Sequence, residues 1–113
     1  MSDHCVFCKI IRKEIPSHVV YEDENFLAFT DIHPAAPTHV LLIPKEHIET
    51  VEDIPAGNPL VSQLTERAVK VAKELNLGEG FRLVINNGDN GGQTVYHLHL
   101  HLLGGRFMAW PPG

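Results

Sequence analysis

The chain has 113 residues, 43% of them hydrophobic, and a formal net charge of −5 with histidine neutral. That length bounds the chain to one domain over residues 1–113 with one modest core, and that hydrophobic share excludes a disordered or fibrous chain. The acidic balance argues against a nucleic-acid polymer as partner, and no apolar run approaches the roughly 20 residues that span a bilayer.

The start, Met1-Ser2-Asp3-His4-Cys5, has neither a cationic n-region nor an apolar h-region, so a cytoplasmic location is the default expectation. Cys5 and Cys8 are the two cysteines, spaced C-x-x-C, which in a reducing compartment reads as metal-binding or redox-active. Alone it is half of a zinc site and needs two more ligands. Val6 to Arg12 predicts a short helix. Val19–Glu22 and Phe26–Thr30 predict a hairpin about Asp23-Glu24-Asn25. Pro34 and Pro37 break the chain, and Thr38–Ile43 predicts a third strand stopped by Pro44. His47–Ile54 suggests a helical turn. Pro59–Leu75 predicts the long helix, with Leu60, Leu64, Ala68, Val71, Ala72 and Leu75 at three- and four-residue spacing. Asn58 is the expected N-cap, with Pro59 in the first helical position. Phe81–Ile85 and His97–Leu103 complete five strands, paired antiparallel across the turn signals Asn87-Gly88 and Gly91-Gly92. The fold class is therefore α+β: a five-stranded, mostly antiparallel sheet with one long helix and a short N-terminal helix.

Three of the eight histidines fall in Tyr96-His97-Leu98-His99-Leu100-His101-Leu102-Leu103. Strict alternation puts His97, His99 and His101 on one face and the leucines on the other. A run of imidazoles on a strand with one buried face points to nucleophilic, acid–base or ligand chemistry. Neighbouring histidines lie roughly 6.7 Å apart along a strand, so three of them do not converge on one tetrahedral ion. The glycine-rich turn upstream offers backbone N–H groups that suit an anion, although a plain hairpin loop accounts for the glycines equally well. A histidine beside an anion-binding loop suggests phosphoryl or nucleotidyl transfer.

Positions 97–103 resemble the signature of the histidine triad (HIT) proteins, His-φ-His-φ-His-φ-φ with φ apolar. The resemblance extends to Phe7-Cys8-Lys9-Ile10-Ile11, Ala28-Phe29-Thr30-Asp31-Ile32, Pro37-Thr38-His39-Val40-Leu41-Leu42-Ile43-Pro44 and Trp110-Pro111-Pro112-Gly113. It is greatest to the nucleotide-binding, purine nucleoside phosphoramidase branch. It implies hydrolysis of nucleoside 5′-phosphoramidates or related adenylylated compounds through a covalent nucleotidyl-histidine. Its competitors are a nucleotide-binding scaffold with incidental hydrolysis and a dinucleoside polyphosphate hydrolase.

The resemblance implies His99 as nucleophile, His101 as phosphate or leaving-group contact and His39 as support for the triad. It implies that Asp31 binds ribose, that Phe7, Ile10, Phe29 and Ile32 form the base slot, and that Asn86, Gly92, Gln93 and Thr94 meet the phosphate. Thr94 departs from the serine of similar members but keeps the hydroxyl. His33 replaces a small residue beside the ribose site. For bacterial members with C-x-x-C, the resemblance implies a structural zinc held by Cys5, Cys8, His47 and His97. It also implies a homodimer whose paired sheets make ten strands, with Trp110 near the partner's site. The expected ligand is a purine nucleotide or nucleoside phosphoramidate.

Overall fold

A computed structural model describes residues 4–113. Its five strands, β1 (Val19–Glu22), β2 (Phe26–Thr30), β3 (Thr38–Pro44), β4 (Phe81–Val84) and β5 (Leu100–Gly104), form one sheet in the order β1-β2-β3-β5-β4. All four pairings are antiparallel. Two α-helices accompany it, α1 (Val6–Ile11) and α2 (Leu60–Glu74). The expected α+β fold is the observed one. Among the described residues no helix is long and apolar enough to cross a membrane.

The period of two along each strand divides the interior into two cores. Phe26 and Ala28 of β2, Val40 and Leu42 of β3, and Leu100 and Leu102 of β5 share a cluster with Leu64, Ala68, Val71 and Ala72 of α2. Leu27 and Phe29 of β2, with Leu41 and Ile43 of β3, turn the other way and pack on Phe7 and Ile10 of α1. Each fully buried side chain of this size adds about 1.5–3 kcal/mol, so either core alone outweighs the polar contacts at the surface. Gly104 lets β5 pass α2's end: a Cβ there would meet Leu77 Cδ1 at 2.8 Å.

Several boundaries differ from the expected ones: β3 includes Pro44, β5 ends at Gly104 rather than Leu103, and α1, α2 and β4 each stop one residue short. β5 begins at Leu100, so His97 and His99 precede the hydrogen-bonded strand, although Leu98 still joins the α2-side core. Residues 47–50 belong to no helix or strand, and the helical turn is a 3₁₀ turn at Val51–Asp53. Pro59 rather than Asn58 occupies the N-cap position, yet Asn58 Oδ1 still accepts the Leu60 N–H at 2.9 Å. The capping chemistry is thus retained with the register moved by one residue.

Candidate active site and metal centre

Strand register brings the histidines together. His39 is opposite Leu103 and Leu41 is opposite His101, so His39 and His101 are diagonal neighbours on the sheet face away from α2. His39 Nε2 lies 2.9 Å from His101 Nδ1. His39 Nδ1 accepts the Ala35 N–H at 3.0 Å. That bond makes Nε2 the protonated nitrogen of a neutral His39, which therefore donates to His101 Nδ1. The proton of His101 is then on Nε2, a buried nitrogen with no hydrogen-bond partner. Asp31 Oδ2 stands 3.5 Å from His39 Nε2 and biases this chain electrostatically.

His99 has the opposite arrangement. Its Nδ1–H donates to the main-chain carbonyl of His97 at 2.8 Å, which leaves the lone pair on Nε2. The ring is 7% exposed and packs perpendicular to Phe7 at a centroid distance of 5.1 Å. Burial lowers His99, His39 and His101 below the ordinary imidazole value, His101 to about 4, against the pull of Asp31. These three rings are therefore neutral at pH 7, with an unprotonated Nε2 on His99 and an Nε2–H hydrogen-bond donor on His101.

His99 and His101 line a cavity of about 410 Å³ together with Phe7, Ile10, Phe29, Asp31, Ile32 and Thr94. Eight of the residues expected at a nucleotide thus share one hollow, lined by both apolar and ionisable side chains. Ile32 is 85% exposed at its mouth. Asn86, Gly92, Gln93 and Trp110 are not in its lining, and Trp110 is 81% exposed on the C-terminal tail. Residues 88–93 close on themselves: the N–H groups of Gly91, Gly92 and Gln93 donate to carbonyls of Gly88 and Asp89. The glycines therefore shape a turn, with Gly92 at φ +88°, rather than opening an N–H nest. Ile15, Leu41 and Val95 also line the cavity and were not anticipated. For Leu41 the signal was present, since it shares the alternation of His39.

A second cluster is built on the start of α1. Cys5 is its N-cap, and its Sγ accepts the Cys8 N–H at 3.3 Å, which turns both thiols to one side. His97 Nδ1 stands 3.3 Å from Cys5 Sγ, 3.6 Å from Cys8 Sγ and 3.2 Å from His47 Nδ1. Cys8 Sγ is 3.3 Å from His47 Nδ1, and all four donor atoms lie within 4.8 Å of one another. Tetrahedral zinc with bonds of about 2.3 Å to sulfur and about 2.0–2.1 Å to nitrogen sets such edges at about 3.4–3.8 Å. His97 Nε2–H donates to the Pro44 carbonyl at 2.8 Å, so Nδ1 faces the thiols unprotonated, as a metal ligand must. The residues fit a closed four-ligand zinc site. Asp31, His39 and His101 also bring ligand atoms together, and the hydrogen-bond chain above accounts for their proximity.

Residues 12–108 match the HIT domain. The chain belongs to the HIT domain family. A HIT-like protein of Synechocystis, named as uncharacterized, is 53% identical over all of both chains. A protein of Zea mays named a 14 kDa zinc-binding protein is 50% identical, over 96% of this chain and 87% of its own. The crystal structure of a HIT family hydrolase from Legionella pneumophila superposes with a TM-score of 0.94 at 55% identity, covering 97% of this chain and 100% of that one. The five-stranded sheet is therefore the HIT fold.

Proposed function

We propose that this HIT protein, one domain over residues 1–113, hydrolyses nucleoside 5′-phosphoramidates or related adenylylated compounds in the cytoplasm. The observation that carries the reading is the His99 tautomer, with Nδ1–H held by the His97 carbonyl and Nε2 left nucleophilic in a ring that lines the cavity. Phe7, Ile10, Phe29 and Ile32 receive the base, Asp31 the ribose hydroxyls, and Thr94 and His101 the phosphate, with Asn86 and Gly92 shaping the loop beside it. His99 Nε2 attacks phosphorus and the bond to the leaving amine breaks. His101 Nε2–H donates a hydrogen bond to the phosphoryl group, and the departing amine nitrogen takes its proton from solvent water. Water then attacks phosphorus, the His99–phosphorus bond breaks with His99 recovering its Nε2 lone pair, and the proton released by water passes to solvent, balancing the one the amine took up. Burial supports this scheme, because a charged His99 has no lone pair to offer.

Zinc is held by Cys5, Cys8, His47 and His97. Four protein ligands leave no open position for a water, so the ion braces the fold and the chemistry belongs to the histidines. The protein works as a two-fold homodimer, and Trp110 of one protomer stands near the site of the other. A panel of adenosine and guanosine phosphoramidates against dinucleoside polyphosphates tests the reading. Greater kcat/KM for the phosphoramidates is the expected result, and preference for the dinucleotides removes it.

A further inference from the structure

Three consecutive residues, His47, Ile48 and Glu49, touch three parts of the site. His47 brings Nδ1 to the thiol cluster, 3.3 Å from Cys8 Sγ. Ile48 accepts the N–H of Leu98, the residue between His97 and His99, at 2.6 Å. Glu49 accepts a hydrogen bond from Gln93 Nε2 at 2.8 Å. This strip lies outside every helix and strand, so its position depends on those contacts.

Gln93 is 4% exposed, and its side chain is committed inside the protein. Its second Nε2 proton goes to the Val95 carbonyl at 3.1 Å, and Oε1 accepts the Gly88 N–H at 2.9 Å. The amide therefore clamps both ends of the loop 88–93 and fastens it to Glu49. Thr94, the next residue, lines the cavity. An amide used in this way has nothing left to donate to a phosphate, which reassigns Gln93 from ligand contact to fastener.

We propose that Gln93 is a positioning residue that couples the metal cluster, through His47–Glu49, to the loop that carries Thr94, so that metal and nucleoside monophosphate bind with positive cooperativity. The inference rests on the nucleotide reading of the cavity. Metal fixes His47, His47 fixes the Glu49 carbonyl, and that carbonyl holds Gln93 and hence Thr94 in place. Linkage requires the converse: nucleotide that orders the loop must hold the metal more firmly.

The test uses the full-length zinc-loaded protein, a colorimetric chelator and adenosine monophosphate, with nucleotide binding measured separately by calorimetry. Bound nucleotide is expected to raise the chelator concentration for half-extraction by about fivefold or more, within the usual range of allosteric coupling. In Gln93→Met, which fills the space without hydrogen bonds, the ratio should fall to near one. Nucleotide that binds without changing extraction overturns the coupling and leaves the proposed function standing. A Met variant that keeps the full ratio removes Gln93 from the path. Absence of nucleotide binding to the wild type overturns both readings. The wild-type comparison decides the coupling even where the variant is too unstable to hold zinc.

Discussion

The carbonyl oxygen of His97 accepts the Nδ1–H of His99 at 2.8 Å, while the His97 ring faces Cys5 and Cys8. One residue therefore supplies the metal cluster with its side chain and the nucleophile with its main chain. The two sites therefore share a residue.

Removal of the metal should lower stability strongly. Free zinc about a thousandfold above its dissociation constant adds about 4 kcal/mol to folding. Cys8→Ser, or exhaustive chelation, is expected to lower Tm by about 15 °C or more. Metal analysis of the purified protein should give one zinc per chain. A stoichiometry near zero with both thiols open to titration in the native state contradicts this.

Acid should destabilise the fold through His101. Burial holds His101 down to about 4, against an ordinary value of 6.5; its neighbours His99 and His39 push the same way and Asp31 opposes them. The unfolded chain then binds the proton first. This contribution is fully present above pH 6.5 and is lost as pH falls toward 4. Tm measured across that range should fall less steeply for His101→Gln than for the wild type. Parallel curves would show that His101 contributes nothing to the acid sensitivity.

Asp31 should discriminate ribose. Asp31→Ala is expected to raise KM for ribonucleotide substrates about tenfold or more, as loss of a charged hydrogen bond does, with a smaller change in kcat. The same variant should treat ribo- and 2′-deoxyribonucleotides alike. An unchanged preference places the ribose elsewhere.

Much of this site was legible in the alternation of residues 96–103, because a period of two on a buried strand fixes which side chains share a face. It survives even before Leu100, where strand hydrogen bonding has not yet begun. The diagonal contact of His39 with His101 was not legible, since it depends on the register of β3 against β5, which no local pattern encodes. The work of Gln93 was hidden for a similar reason: its partner Glu49 is 44 residues away. Glycine content fitted an anion nest and a plain hairpin loop equally well, and the N–H groups of Gly91, Gly92 and Gln93 bond inside the turn.

Assembly is expected to be dimeric. β4 is an edge strand whose Phe81 is 38% exposed, and Val61 and Val69 on the outer side of α2 are only partly covered. Light scattering should give twice the chain mass, and deletion of residues 107–113 should alter substrate selectivity. A monomer with full activity at micromolar concentration contradicts the dimer.

The most direct test is to trap the intermediate. Protein mixed with adenosine 5′-phosphoramidate and quenched within a turnover should carry one adenylyl group, and peptide mapping should place it on His99. His99→Gly should show no adduct and lose at least about 10³-fold in kcat while still binding adenosine monophosphate. An adduct on His97 or His101, or near-normal turnover by the His99 variant, would contradict the account.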